Sequence, residues 1–145
     1  MEIFTIGFTK RSARDFFGAL KRAGIKRLLD VRLHNSSQLA GYSKRDDLAY
    51  FLRELCGAEY VHEPLLAPTP ELFDRYKKNG GSWSDYARDF LALLDERQVA
   101  AMLDRHGFDL PTVLLCSEPT PERCHRRLVA EYLQEKWGDL DIVHL

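Results

Sequence analysis

The sequence predicts an α/β fold: a single domain of three layers, with a mainly parallel sheet of about five strands and helices on both faces. Three observations lead there. Short apolar segments alternate with segments whose apolar residues recur at helical spacing, the order of strand–helix–strand units. Val113-Leu114-Leu115 is a continuous apolar run rather than an alternating one, the mark of a strand covered on both faces. One helix separates the first two strand candidates, which is the connection parallel strands need. At 145 residues the chain can build a core without covalent staples.

Each element follows from local chemistry. Ile3-Phe4-Thr5-Ile6 forms the first strand, closed by Gly7. Ser12 caps a helix that carries Phe16, Phe17 and Leu20, and Gly24 ends it. Lys26 to Arg32 is a second strand with a charged tip. The polar loop from His34 to Ser43 is long for a strand-to-helix connection, and long loops above a sheet often carry function. Asp46 or Asp47 caps the next helix, bearing Leu48, Phe51, Leu52 and Leu55 and terminated by Gly57, with Cys56 read as a small buried hydrophobe. Glu59-Tyr60-Val61-His62 is the third strand.

A proline-rich loop follows, and Thr69-Pro70 opens a short helix with Leu72, Phe73 and Tyr76 that Asn79-Gly80-Gly81 breaks. A longer helix from Trp83 buries Tyr86, Phe90 and Leu94, and another runs through Val99, Met102 and Leu103 to His106-Gly107. These extra helices belong at one side of the sheet or above its strand tips. After the central strand at Val113-Leu114-Leu115, Thr120 as N-cap and Pro121 at the first helical position open the last long helix. Leu128, Val129, Tyr132 and Leu133 share its inner face, with Cys124 and His125 one turn back on the same stripe. Asp141-Ile142-Val143-His144 supplies the final strand.

The 21 basic and 22 acidic residues nearly cancel, so no global field favours nucleic acid or a membrane surface, and any anion site must be local. Three cysteines are too few for a disulfide framework, and their odd number points to reduced thiols in a cytoplasm. Neither a signal peptide nor a membrane-length apolar run is legible. The expectation is a soluble cytoplasmic protein.

In parallel sheets, ligands sit beyond the carboxyl ends of the strands. There the sequence offers Gly7-Phe8-Thr9-Lys10, Asp30-Val31-Arg32, His62-Glu63 and Cys116-Ser117-Glu118, with Cys124-His125-Arg126 at a helix start. Asp30 and Arg32 share one face of a strand. Either they form a charge pair that fixes the loop above, or Arg32 is a forked donor to a carboxylate or phosphate, with Asp30 orienting it or acting as a base. The second is favoured, because charges at buried strand tips are costly without a purpose.

Cys116 admits three readings. A thiol facing a helix start among arginines can be a nucleophile, as in cysteine phosphatases and rhodanese-type sulfurtransferases. Their phosphate cradle, however, is normally Cys-x5-Arg, whereas Arg123 follows Cys116 after six residues that include two prolines and no glycine. Cys116, Glu118, Cys124, His125 and His62 also form a weakly spaced set of metal ligands, lacking any Cys-x2-Cys or His-x3-His pair. Thirdly, Cys116 and Cys124 are structural thiols, with Glu118 paired to Arg126. Cys124 alone reads as structural and the cluster as functional, with no metal assigned. His125 beside Cys116 and Glu118 suits general acid–base work. Arg123, Arg126 and Arg127 crowd a helix start, where positive charge is unfavourable unless an anion or a carboxylate offsets it. Thr9 and Lys10, following Gly7, are read as weak phosphate contacts.

Taken together, Thr5-Ile6-Gly7, Asp30-Val31-Arg32 and Cys116-x-Glu118 followed by Cys124-His125-Arg126 make the chain resemble the bacterial and archaeal family called domain of unknown function 488. The resemblance implies an α/β fold and a pocket built from the three blocks, and no activity. Phe8 stands where that family often has a histidine, and His34-Asn35-Ser36 where a proline is frequent.

The functional expectation is an enzyme, or a ligand-binding relative of one, acting on a small anionic ligand that is phosphorylated or nucleotide-like. Cys116, Glu118, His125 and Asp30 would carry chemistry, while Arg32, Arg126, Thr9 and Lys10 would hold the anion. The sequence names no cofactor. The alternatives are a nucleic-acid-associated module with a basic rim of Lys10, Arg11, Arg14, Lys44 and Arg45, and a metal-stabilised interaction domain.

Overall fold

The computed structural model describes residues 1–36, 41–118 and 120–145. The middle of the expected polar loop, residues 37–40, and the first proline after the central strand lie outside the described residues. Five strands form one sheet: β1 (Glu2–Gly7), β2 (Arg27–Asp30), β3 (Glu59–His62), β4 (Thr112–Cys116) and β5 (Asp141–His144). Their order is β3-β2-β4-β1-β5 and every pairing is parallel. The apolar run at 113–115 explains the central place of β4, since all five of its residues are buried. β1 and β2 are parallel as expected but not adjacent, because β4 lies between them.

Helix α1 (Ala13–Arg22) starts and stops as its sequence dictates. The Ser12 hydroxyl accepts from the Asp15 amide at 3.1 Å, and Gly24 adopts φ 70° just beyond its end. Helix α2 (Arg45–Phe51) begins two or three residues earlier than the expected caps require. Lys44 is its N-cap, and Asp46 and Asp47 lie within the first turn, where they complement the helix dipole instead. α2 widens into a π turn, Leu52–Cys56, that Gly57 ends at φ 61°. Cys56 is only half-buried there.

Helices α3 (Pro70–Lys77), α4 (Trp83–Glu96) and α5 (Val99–Met102) follow, the first two capped by Thr69 and Ser82. Helix α6 (His125–Trp137) corrects one expectation: its N-cap is Cys124, not Thr120. Residues 120–123 form a turn outside the helix. The buried stripe of His125, Arg126, Leu128 and Val129 fixes where the helix begins, outweighing a cap preference of about 1 kcal/mol.

Strand alternation divides the core between the two faces. Ile6, Leu28, Val113 and Leu115 pack with Phe16, Phe17 and Leu20 of α1 and with Leu48 of α2. Ile3, Leu29, Val31, Leu114 and Cys116 face the opposite side, among Phe90 and Leu94 of α4 and Leu128, Val129 and Leu133 of α6. The extra helices therefore stand on the α6 side. Among the described residues, no helix is long and apolar enough to cross a membrane.

Candidate active site

Beyond the carboxyl ends of β2 and β4, on the α6 side, lies a cavity of about 190 Å³. Its buried members are Arg32, Tyr86, Cys116, Cys124 and His125. Phe73, Tyr76 and Trp83, contributed by α3 and α4, extend an aromatic wall from Tyr86, and Lys77, Glu118 and Arg123 are its more exposed polar members. A larger groove of about 630 Å³ runs between α1 and α2, but it holds no buried nucleophile. The smaller cavity is the one lined by buried thiols and an imidazole.

Cys116 ends β4 and His125 begins α6, so the strand tip and the helix start bring thiol and imidazole together. The Cys116 Sγ stands 3.3 Å from His125 Nδ1. The other ring nitrogen, Nε2, lies 2.6 Å from the Val31 carbonyl oxygen. A carbonyl only accepts, so Nε2 carries the hydrogen and Nδ1 is left to receive the thiol proton. Phe90 stands edge-on to the imidazole at 5.4 Å and holds its plane.

Burial pushes the Cys116 thiol up, but hydrogen bonds from Cys124 and the Ser117 amide, together with the positive charge of Arg126, outweigh it. The thiol consequently sits below its ordinary value. Cys124 goes the other way: burial, and the hydrogen bond it gives to Cys116, push its thiol well up. The pair divides into an acidic thiol and one that keeps its proton. The donor atoms of Cys116, Cys124 and His125 all lie within 4.8 Å of one another, a compact set that is also able to hold a thiophilic metal ion. Glu118 and His62 do not join that set. The Glu118 carboxylate pairs with Lys77 at 2.8 Å, and His62 Nε2 donates to the Arg32 carbonyl at 3.1 Å.

Arg32 is buried and its fork is already taken. Nε and Nη2 each donate to an Asp30 carboxylate oxygen at 2.8 Å, and Nη2 also reaches the Ser43 carbonyl. Only Nη1 is buried without an acceptor among the described residues. Asp30, wholly buried, also accepts from the Tyr60 hydroxyl and is not a member of the cavity wall. Of the two readings of this pair, the contacts are those of a charge pair: Asp30 holds the Arg32 guanidinium in place from outside the cavity wall, and Arg32 borders the cavity with most of its fork engaged.

Arg126, expected to hold the anion, is placed behind the cavity wall. It is 1 % exposed, its Nη1 donates to the Glu118 backbone carbonyl at 2.7 Å, and it does not line the cavity. It stands over Gly7 instead. A Cβ on Gly7 would lie 1.6 Å from that carbonyl oxygen and 2.8 Å from Nη1. Gly7 is thus needed for close approach of backbone, and the crease between β1 and β4 is filled. Thr9 and Lys10 likewise stay away from the cavity: the Thr9 amide donates to the Ser117 carbonyl at 3.0 Å, and Lys10 is exposed with φ 61°. Two cations of the expected basic rim have partners, Arg11 on the Leu145 carbonyl and Arg45 on Asp46.

The sequence reading missed Lys77, His34 and the aromatic wall as members of the cavity, and it treated Tyr86 as core alone. The available signal was the cluster of Phe73, Tyr76, Trp83 and Tyr86 on two consecutive helices. The rings pack on one another, Tyr76 to Tyr86 at 4.8 Å and Trp83 to Tyr86 at 5.5 Å.

No curated protein matches the chain. No solved structure does so either. One family model matches residues 12–133, a stretch that runs from the cap of α1 into α6 and contains Asp30, Arg32, Cys116 and His125. Across that span, which is most of its length, the chain belongs to the family described as Domain of unknown function DUF488.

Proposed function

We propose that this protein is an enzyme that uses Cys116 as a nucleophile on a small anionic substrate held beyond the tips of β2 and β4. The observation that carries the reading is the thiol–imidazole pair at the buried end of a cavity that Arg32 and Arg123 also border. His125 Nδ1 receives the thiol proton while the Val31 carbonyl keeps the ring in place. The Ser117 amide and Arg126 stabilise the thiolate that results. Arg32, Arg123 and Lys77 draw in an anionic group, and Tyr76, Trp83 and Tyr86 offer a face to a flat apolar one. A cavity of about 190 Å³ is small beside the roughly 300–1,000 Å³ of drug-sized sites, which favours a compact phosphorylated compound over a whole nucleotide.

The test is protection of Cys116 from alkylation. Iodoacetamide labelling, read by peptide mass, is followed with inorganic phosphate, phenyl phosphate or adenosine monophosphate present. Phenyl phosphate should protect better than inorganic phosphate, less well in Trp83→Ala, and hardly at all in Arg123→Glu. Undiminished labelling with all three anions at millimolar concentration rejects the anion site.

A further inference from the structure

We propose that Cys124 is the resolving thiol for Cys116, so that the cavity supports two-electron reduction of a small hydroperoxide and closes the two cysteines into an internal disulfide. This rests on the reading of Cys116 as nucleophile and adds a role for a residue that the cluster otherwise leaves as packing.

Three observations support it. The two sulfurs belong to one set of donor atoms within 4.8 Å, so a side-chain adjustment brings them to the bonding distance of about 2.05 Å. Cys124 is the N-cap of α6 yet makes no capping hydrogen bond through its side chain, so rotating that side chain gives up no cap. The Cys124 thiol also hydrogen-bonds the Cys116 sulfur, so the two sulfurs already face each other. The narrow cavity and the 5 % exposure of Cys116 select a small oxidant. Cys56, the third thiol, is elsewhere, against the Phe17 carbonyl on the other face of the sheet.

The chemistry balances. The Cys116 thiolate attacks one peroxide oxygen, forming an S–O bond and breaking the O–O bond. The departing oxygen takes the proton that His125 received from the thiol, giving water or an alcohol. The Cys124 sulfur then attacks the Cys116 sulfenic sulfur, an S–S bond replaces the S–O bond, and the Cys124 proton leaves with the hydroxyl group as water. The hydroperoxide is reduced and two thiols are oxidised.

The experiment treats the reduced full chain with stoichiometric hydrogen peroxide and reads intact mass, free thiols and peptide maps. The expected product has lost two hydrogens, has one free thiol where there were three, and contains a peptide joining Cys116 to Cys124. Cys124→Ser should instead gain one oxygen at Cys116, trapped by a dimedone-type reagent, and Cys124→Ala should repeat this without a buried hydroxyl. Cys116→Ser should do neither. Direct passage of the wild type to sulfinic acid, a disulfide involving Cys56, or equimolar zinc masking both thiols of the purified chain would each overturn the proposal. Iodoacetamide separates the two readings. Rapid alkylation of Cys116 in Cys124→Ser with no disulfide in the wild type removes only the resolving role, whereas slow alkylation removes the nucleophile as well.

Discussion

The Cys116 sulfur faces Nδ1 of His125 at 3.3 Å while the opposite ring nitrogen is held by the carbonyl of Val31 at 2.6 Å. A strand tip and a helix start, separated in sequence by a turn, thus meet as thiol and base, and a second strand fixes the tautomer. In the wild type the pH profile of iodoacetamide alkylation should have its midpoint below 9.0, the ordinary thiol value. His125→Asn puts a polar atom near Nδ1 but supplies no base. It should slow alkylation at neutral pH by at least about tenfold and move the midpoint upward. An unchanged profile would remove His125 from the chemistry.

Asp30 and Arg32 are 0 % and 3 % exposed. Removing one partner leaves the other charge buried alone. Arg32→Ala and Asp30→Ala should each lower stability by about 3–5 kcal/mol in urea unfolding, and the double variant by less than the sum. Additive losses would mean that the two residues act independently. Arg32→Ala is therefore a poor probe of ligand binding, which is why Arg123, exposed at the cavity, is the better one.

Gly7→Ala should be costly out of proportion to its size. Its Cβ would collide with the Glu118 backbone at 1.6 Å, and backbone cannot swing aside as a long side chain does. A loss of about 1–3 kcal/mol is expected, together with a higher midpoint for Cys116 alkylation, because Arg126 moves with that carbonyl. Wild-type stability and reactivity in this variant would mean that the loop carrying Glu118 yields freely.

Alkaline pH should weaken the fold. Burial pushes Tyr86 and Tyr60 well above 10.0, Tyr60 also through its bond to Asp30, and burial pushes Cys124 well above 9.0. The unfolded chain releases these protons while the folded chain keeps them, so the folded state binds more protons. Stability from these groups is full below about pH 9 and falls as pH rises, by up to about 1.4 kcal/mol per pH unit per group. Cys116 has the opposite sign: its lowered value adds stability above the ordinary thiol range that is lost as pH falls through the folded value. Urea unfolding at about pH 8 and pH 10.5 measures the net slope, which Tyr86→Phe should reduce. A flat profile would contradict the burial of these groups.

Much of the fold was legible because local chemistry and tertiary packing agree. The apolar run at 113–115 reads as a strand covered on both sides, and β4 is central. Ser12, Thr69 and Ser82 cap their helices through their own hydroxyls, and Gly24 and Gly57 stop theirs in the left-handed conformation. The start of α6 was misplaced because Thr120-Pro121 is a good local signal, yet the residues worth burying begin at Cys124. The aromatic wall escaped notice because the same rings at the same spacing also serve as core.

By itself, then, the sequence determined the alternation of strands and helices, the central strand and the three segments that carry reactive side chains. These depend on periodicity and on caps, both of which act within a few residues. Which reactive groups meet was decided only by the tertiary structure. Strand order and the alternation of faces seat Cys116 against His125, while Asp30, on the opposite face, holds Arg32. Arg126 is turned back over Gly7, and its charge reaches the thiol without entering the cavity. Periodicity places a side chain on its own element, but strand order and packing decide what it faces.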